Sequence, residues 1–422
     1  MRTVTLNQKQ QREVEILTRL KAGALDVGTA AELLGVSPRQ VRRLRARFRQ
    51  EGFGAVIHGN VGRAAANRTD PALVTRIVAL AGQGGKYEDL NVCHLQDLLD
   101  EQEQIKIGRS TLDRLLRETG LRHRAGRSAS VHRRRRLRRA AEGMLLQIDG
   151  SPFDWLEGRG PKADLIGAID DATGKIVFLL FRPTEDQIGY LLLLRSVARG
   201  YGIPMSIYHD RHTILRSPKQ PTLEDELAGR SPMSQIQRVM AELGIESIPA
   251  YSPQAKGRIE RLWGTLQDRL IKELRLAGIT TLEEANAFLP RFIARYNRRF
   301  AKAPQDPNSA WVPLPAELDL NYYFAIRETR KVRSDNCISW SGRVLQLLPG
   351  PKTSSLVGRS VTVHVVPEGD IYVYHDRHPL TYRRVPVSDP LPVKPMPKPL
   401  RQPRPADPKA KARQRAWLYA QG

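Results

Sequence analysis

The 422-residue chain predicts a multidomain protein: an N-terminal all-α part, a central α/β core built on a mixed five-stranded sheet, and a small C-terminal β-barrel. Three observations predict it. Apolar residues recur at helical spacing over most of residues 8–121 and then give way, from residue 144, to short apolar runs broken by turn residues. These runs follow the order βββαβαβα up to residue 276, which suits a mixed sheet with helices on both faces. Residues 324–385 hold only strand-like stretches, CISWSGRVLQLL, SVTVHVVPEG and DIYVYHDRHPLTYRRV, as in a small barrel.

Charge narrows the function classes. The chain carries 68 Lys+Arg against 44 Asp+Glu, a formal net charge of +24, so a polyanion such as DNA is the natural partner. No apolar run approaches the roughly 18 residues that a membrane span needs. The start, MRTVTLNQKQQREVE, has no apolar core of a secretory signal. Cys93 and Cys337 are the only cysteines, too few for a disulfide framework or a four-cysteine zinc site. These features point to a cytoplasmic protein that faces nucleic acid.

Residues 1–65 read as a helix-turn-helix domain. In TAAELLGVSPRQVRRLRARFRQEG, Gly35 separates two helical patterns, and Ser37 before Pro38 reads as an N-cap followed by proline at the first helical position. The second helix would expose Arg39, Gln40, Arg42, Arg43 and Arg45, side chains suited to base edges and phosphates; the plainer reading is a solvated Arg-rich helix. Residues 66–121 read as a second helical DNA-binding unit, with Ser110 as a cap and Arg109, Arg114 and Arg117 close by. Residues 122–143 form a linker. Nine arginines and no acid fall within 122–139, among them Arg133, Arg134, Arg135 and Arg136, a composition that orders on a phosphate backbone.

The core spans 144–300. MLLQIDGSPFDWL, ADLIGAIDDATG and KIVFLLFR read as an antiparallel meander, followed by a helix, the strand PMSIYHD, a polar insertion over 212–232, a helix, the strand IESIPAY and a helix from 254. A connector follows over 301–323, the barrel over 324–386 and a tail over 387–422. In the tail, residues 390–415 contain eight Pro, eight Lys+Arg and one Asp and read as extended.

Three acids stand at element ends. Asp149 closes the first strand, Asp210 the fourth, and Glu260 opens the helix after the fifth. The first and fourth strands would lie side by side and bring the two aspartates together. Ile259, Trp263, Leu266 and Leu270 form one apolar face, which leaves Glu260 on its flank with Lys256 and Gln267. Three converging carboxylates need a cation, and hard oxygen donors suit Mg²⁺ or Mn²⁺. Two such ions roughly 3.5–4 Å apart would clamp both oxygens of a phosphodiester exchange. Among 44 acids the trio is weak evidence by itself; an intrahelical charge partner is the plain alternative for Glu260. Asp170 and Asp171 read as a hairpin turn, His209 and His212 as structural or DNA-touching, and Tyr251 and Trp263 as core.

IDGSPFDW, IDDATGKI, YHDRHT and SPQAKGRIERLWGTLQDRL resemble motifs of the DDE transposase and retroviral-integrase superfamily. The longer segments DWLEGRGPKADLIGAIDDATGKI and LQDRLIKELRLAGITTLEEANAFLPRFIARYNRRFAKAP resemble ISNCY-type bacterial insertion-sequence transposases. The resemblance covers about 29–385. It implies a ribonuclease-H-like catalytic core, Asp149, Asp210 and Glu260 as catalytic metal ligands, and DNA contacts from Lys256, Arg258 and Arg261. It also implies cleavage at the element ends, joining of the 3′-OH ends to target DNA, and a homodimer or larger synaptic assembly. It departs at Lys256, where many integrase-like members have Asn. The rivals are a catalytically silent DNA-binding regulator and a nuclease without strand transfer.

Overall fold

The structure, a computed structural model, describes residues 6–58, 60–61, 68–122, 136–217, 220, 227, 231–250, 256–348, 350 and 355–385. Arg133, Arg134, Arg135, Tyr251, most of the polar insertion and the Pro-rich tail lie outside them. The chain divides into two compact units, residues 1–89 with 108–124 and residues 90–107 with 125–422.

In the first unit α1 (Gln8–Lys21), α2 (Val27–Leu34) and α3 (Pro38–Glu51) enclose Leu17, Leu20, Ala30, Val41 and Phe48. The turn between α2 and α3 follows the sequence reading. Gly35 takes a left-handed φ of 66°, which glycine adopts without the cost a side chain would add. Ser37 Oγ accepts from the Gln40 amide at 3.3 Å, and Pro38 occupies the first turn. A 3-10 turn over Gly52–Val56 closes the core with Ala55 and Val56. The unit also holds α4 (Pro71–Ala81) and α6 (Arg109–Glu118). Ser110 is not the cap of α6. That helix starts one residue earlier, with Gly108 at the N-cap and no side-chain cap bond, so Ser110 sits inside the first turn.

The second unit takes α5 (Val92–Glu103) out of the helical unit expected over 66–121. Its main sheet has the order β3-β2-β1-β4-β5, from β1 (Leu146–Phe153), β2 (Ala163–Asp170), β3 (Ile176–Arg182), β4 (Ser206–His209) and β5 (Glu246–Pro249). β1, β2 and β3 form an antiparallel meander, and β4 pairs parallel with both β1 and β5. Two-residue alternation divides β1. Leu146 and Ile148 face a core shared with α7 (Gln187–Gly200) and α8 (Gln235–Glu242). Gln147 and Asp149 face α9 (Gly257–Leu276), which with α10 (Leu282–Phe300) buries Ile259, Trp263, Leu266, Leu270, Leu289 and Phe292 against the other side.

The C-terminal strands are β6 (Ile326–Lys331), β7 (Cys337–Trp340), β8 (Arg343–Leu347), β9 (Ser360–Val365), β10 (Ile371–His375), β11 (His378–Leu380) and β12 (Tyr382–Val385). The expected barrel is instead a pair of open sheets, β11-β10-β9-β6 and β12-β8-β7, over one core containing Ile338, Leu345, Val363 and Val373. The chain changes sheet through the single residue Thr381, so among the described residues no ladder of strand pairing closes the ring.

Candidate active site

The parallel register pairs Leu146 with Ile207 and Gln147 with Tyr208. Continued by two residues, it sets Asp149 beside Asp210, which directly follows β4. Asp149 does not close its strand as expected: β1 runs on to Phe153 through its pairing with β2, so Asp149 stands mid-strand, level with Asp210 just past the end of β4.

Asp149 is held from the α9 side. Its Oδ1 receives Lys256 Nζ at 2.6 Å, and its Oδ2 receives the Trp263 indole N–H at 3.1 Å. The indole reaches it because Gly167 lies opposite Asp149 in β2: a Cβ at Gly167 would stand 2.7 Å from the Trp263 ring. Gln147 Oε1 accepts the Ile259 amide at 3.2 Å and so pins the start of α9 to β1. Glu260 sits in that first turn, where a carboxylate suits the positive end of the helix, with its side chain exposed. Among the described residues no three His, Cys, Asp or Glu side chains are gathered closely enough to hold a metal. The structure thus sets Asp149 and Asp210 level on the neighbouring strands β1 and β4 and docks the start of the helix of Glu260 onto β1, without drawing the Glu260 carboxylate in.

Asp210 Oδ1 accepts the His212 amide at 2.9 Å. His209 is structural: its Nε2 meets Ser247 Oγ at 2.8 Å, tying β4 to β5, and burial pulls its pKa below the ordinary value. Asp170 and Asp171 do form the expected turn, yet both are fully buried. Asp170 accepts the Gly143 amide and both the amide and hydroxyl of Thr173. Burial pushes its pKa up. Asp171 pairs with Arg136 and, at 3.3 Å, with Arg258; it also accepts Gln147 Nε2 at 2.8 Å and the Arg139 amide at 2.9 Å.

Three residues expected on DNA are instead paired with acids: Lys256 with Asp149 and Arg258 with Asp171, each with its side chain 10% exposed, and Arg136 with Asp171 at 34% exposed. Lys256 and Arg258 lie beneath carboxylates donated by the sheet. Arg261 is exposed, as are Arg39, Gln40, Arg42 and Arg43 along α3 and Arg109 and Arg114 on α6.

Sequence reasoning missed Glu185, between β3 and α7. A Cβ on Gly150 would fall 2.7 Å from the Glu185 carboxyl, which accepts the Tyr190 hydroxyl at 2.5 Å. Burial raises its pKa, and the charges of Asp210 and Asp149 push the same way. The available signal was Gly150 itself, a strand-interior glycine beside a candidate ligand. Asp149, Asp210 and Glu185 supply carboxylate oxygens, hard donors that suit Mg²⁺ or Mn²⁺, and Asp149 already holds a cation in the Lys256 ammonium. The chemistry of these donors suits a divalent ion, although the three are not gathered closely enough to hold one as they stand.

Comparison with known proteins adds the rest. Residues 14–73 match the winged helix-turn helix family. Over 384 residues the chain is 36% identical to "Putative transposase y4bF" of Sinorhizobium fredii, covering 91% of this chain and 82% of that protein. It is 29% identical over 327 residues to the transposase for insertion sequence IS1202 of Streptococcus pneumoniae, covering 68% of this chain and 67% of that one. A simian T-cell lymphotropic virus intasome structure aligns with a TM-score of 0.30 at 14% identity, over 69% of this chain and 94% of that one. A likeness of that size leaves the assignment to the sequence relatives. No helix among the described residues is long and apolar enough to cross a membrane. With a winged helix-turn helix at its N-terminus and transposase similarity along nine-tenths of its length, the chain belongs to the family of bacterial insertion-sequence transposases.

Proposed function

We propose that the protein binds the terminal inverted repeats of an insertion sequence through α3, cuts the element ends and joins their 3′-OH groups to target DNA. The observation that supports this reading is the register that sets Asp149 of β1 level with Asp210 just past β4, beside the helix whose first turn bears Glu260. Asp149, Asp210 and Glu260 would hold one or two Mg²⁺ or Mn²⁺ ions, and α9 has to bring Glu260 inward to complete the set. A divalent ion held there supplies charge neutralisation at the phosphodiester.

The chain's own residues do the remainder. Trp263 fixes the orientation of Asp149 through Oδ2, while Lys256 holds Oδ1. Arg261 and the arginines of α3 offer cations to backbone phosphates. In cleavage, water adds to the phosphorus at the element end while the P–O bond to the released 3′ oxygen breaks, and that oxygen leaves as a hydroxyl. In joining, the 3′-OH adds to a target phosphorus and the target's own 3′ oxygen leaves, so one P–O bond replaces another. Joining two ends to one target calls for a homodimer or larger assembly on double-stranded DNA.

Strand transfer tests the reading. Purified protein is mixed with a labelled duplex bearing the element's end, a plasmid target and Mg²⁺ or Mn²⁺, beside Glu260→Gln. Joined product that disappears in the variant supports it. Tight end-binding with no cleavage by either protein would instead identify a DNA-binding regulator.

A further inference from the structure

One contact at the acid pair has no role in the scheme above. Lys256 Nζ lies 2.6 Å from Asp149 Oδ1, with the lysine side chain 10% and the aspartate 18% exposed. Lys256 occupies the N-cap position of α9 and makes no side-chain cap bond there, so its side chain is committed to Asp149. The two oxygens of Asp149 are therefore held differently, one by the neutral Trp263 N–H and one by an ammonium.

Neighbouring Arg258 is held in another way. Its guanidinium reaches both the buried Asp171 carboxylate, at 3.3 Å, and the Arg136 carbonyl, at 3.4 Å, so it is anchored at two points. A lysine ammonium is a compact point charge on a flexible four-carbon stem, and a single contact releases it readily. An ammonium and a divalent ion on one carboxylate oxygen repel each other, so loading of Asp149 weakens the hold of Lys256. Its stem starts one helical turn before Glu260, and the next residue, Arg261, is exposed to solvent.

We infer that Lys256 is an exchangeable counter-cation of Asp149, which yields its place to the divalent ion and passes to a backbone phosphate of the bound DNA. The inference rests on the carboxylate reading proposed above. The lysine then neutralises Asp149 before loading, and metal binding and DNA grip become linked through one side chain.

The test measures Mn²⁺ binding to the full-length protein by calorimetry, without DNA, for wild type, Lys256→Met, Lys256→Arg and Asp149→Asn. Removing a competitor that keeps most molecules closed should tighten binding about tenfold in Lys256→Met, since the apparent affinity scales with the fraction open. Lys256→Arg keeps the charge in a firmer hold and should bind Mn²⁺ more weakly than wild type. Binding should vanish in Asp149→Asn. With Ca²⁺ present, Lys256→Met should bind an end duplex about three- to tenfold more weakly than wild type, and equally well when chelator is added, as expected for one lost phosphate contact. Unchanged or weaker Mn²⁺ binding in Lys256→Met, with Asp149→Asn still null, would overturn the exchange and leave the carboxylate site standing. Wild-type Mn²⁺ binding by Asp149→Asn would overturn both.

Discussion

Replacing Asp171 by Asn removes a charge from a carboxylate that has no exposed surface. Two guanidiniums, one side-chain amide and one backbone amide converge on it. Asparagine keeps the shape but turns an N–H₂ toward a ring of donors. Breaking a buried ion pair from one side costs roughly 3–5 kcal/mol, because the partner charge stays buried. Here the two partners differ. The Arg136 side chain is 34% exposed and can rehydrate, whereas that of Arg258 is 10% exposed and cannot. The low end, about 3 kcal/mol, is the expected loss. At roughly 2–4 °C per kcal/mol for a domain of this order, Tm should drop by about 6–12 °C. Urea denaturation followed by circular dichroism and tryptophan fluorescence would read it. Arg136→Ala is the internal contrast: it removes the wetter partner and leaves three donors on Asp171, so it should cost less than about 1 kcal/mol. An Asp171→Asn loss below about 1 kcal/mol, or one matched by Arg136→Ala, would refute the idea that this carboxylate anchors the start of α9.

Gly167→Ala would press a methyl group against the Trp263 ring at 2.7 Å and Leu179 at 2.9 Å. Such overpacking costs about 1–3 kcal/mol and should withdraw the indole from Asp149, visible as a changed near-ultraviolet dichroism band. His94 offers a pH test: burial, reinforced by the positive charge of Arg269, pushes its pKa down to about 3. Between its ordinary value of 6.5 and about 3 the unfolded chain takes up a proton that the folded chain refuses, so stability falls as pH falls through that window. His94→Gln should flatten the acid limb of a stability-versus-pH curve; an unchanged limb would show that His94 takes up its proton without unfolding.

The core was legible because its signals are local. Alternation, turn residues and apolar periodicity specify the strands and helices of βββαβαβα one at a time, and their order places Asp149 next to Asp210. Ser37, Pro38 and Gly35 announce the helix-turn-helix in the same way. What local signals do not carry is the direction of a long side chain. Lys256 and Arg258 sit in a basic helix start and read as DNA contacts, yet each finds a carboxylate from a distant strand or turn. Asp170 and Asp171 read correctly as a turn, but nothing in IDDATG tells that both would be buried and hydrogen-bonded. Trp263 read as core and is core, while the use of its N–H depends on a glycine opposite Asp149. The C-terminal strands were visible, but the barrel expected of them stays two open sheets, because closure depends on which edges pair.

The segment 90–107 bears on how such a protein can be inherited in parts. The chain leaves its first unit at residue 89, returns at 108 and departs again after 124, so three connections join the units. α5 is fastened to α9 by Asp97 on Arg269 at 2.9 Å and reaches α10 through Glu101 and Arg295. Cutting the gene once, at residue 124, would strand α5 among the wrong helices and leave Arg269, largely buried, without its acid. A DNA-reading head attached in this way is not a detachable cassette. On the function proposed above, new end specificity would arise by substitution along α3, or by exchange of segments on both sides of α5 together, and a lineage that loses the first unit by simple truncation loses a wall of its core as well.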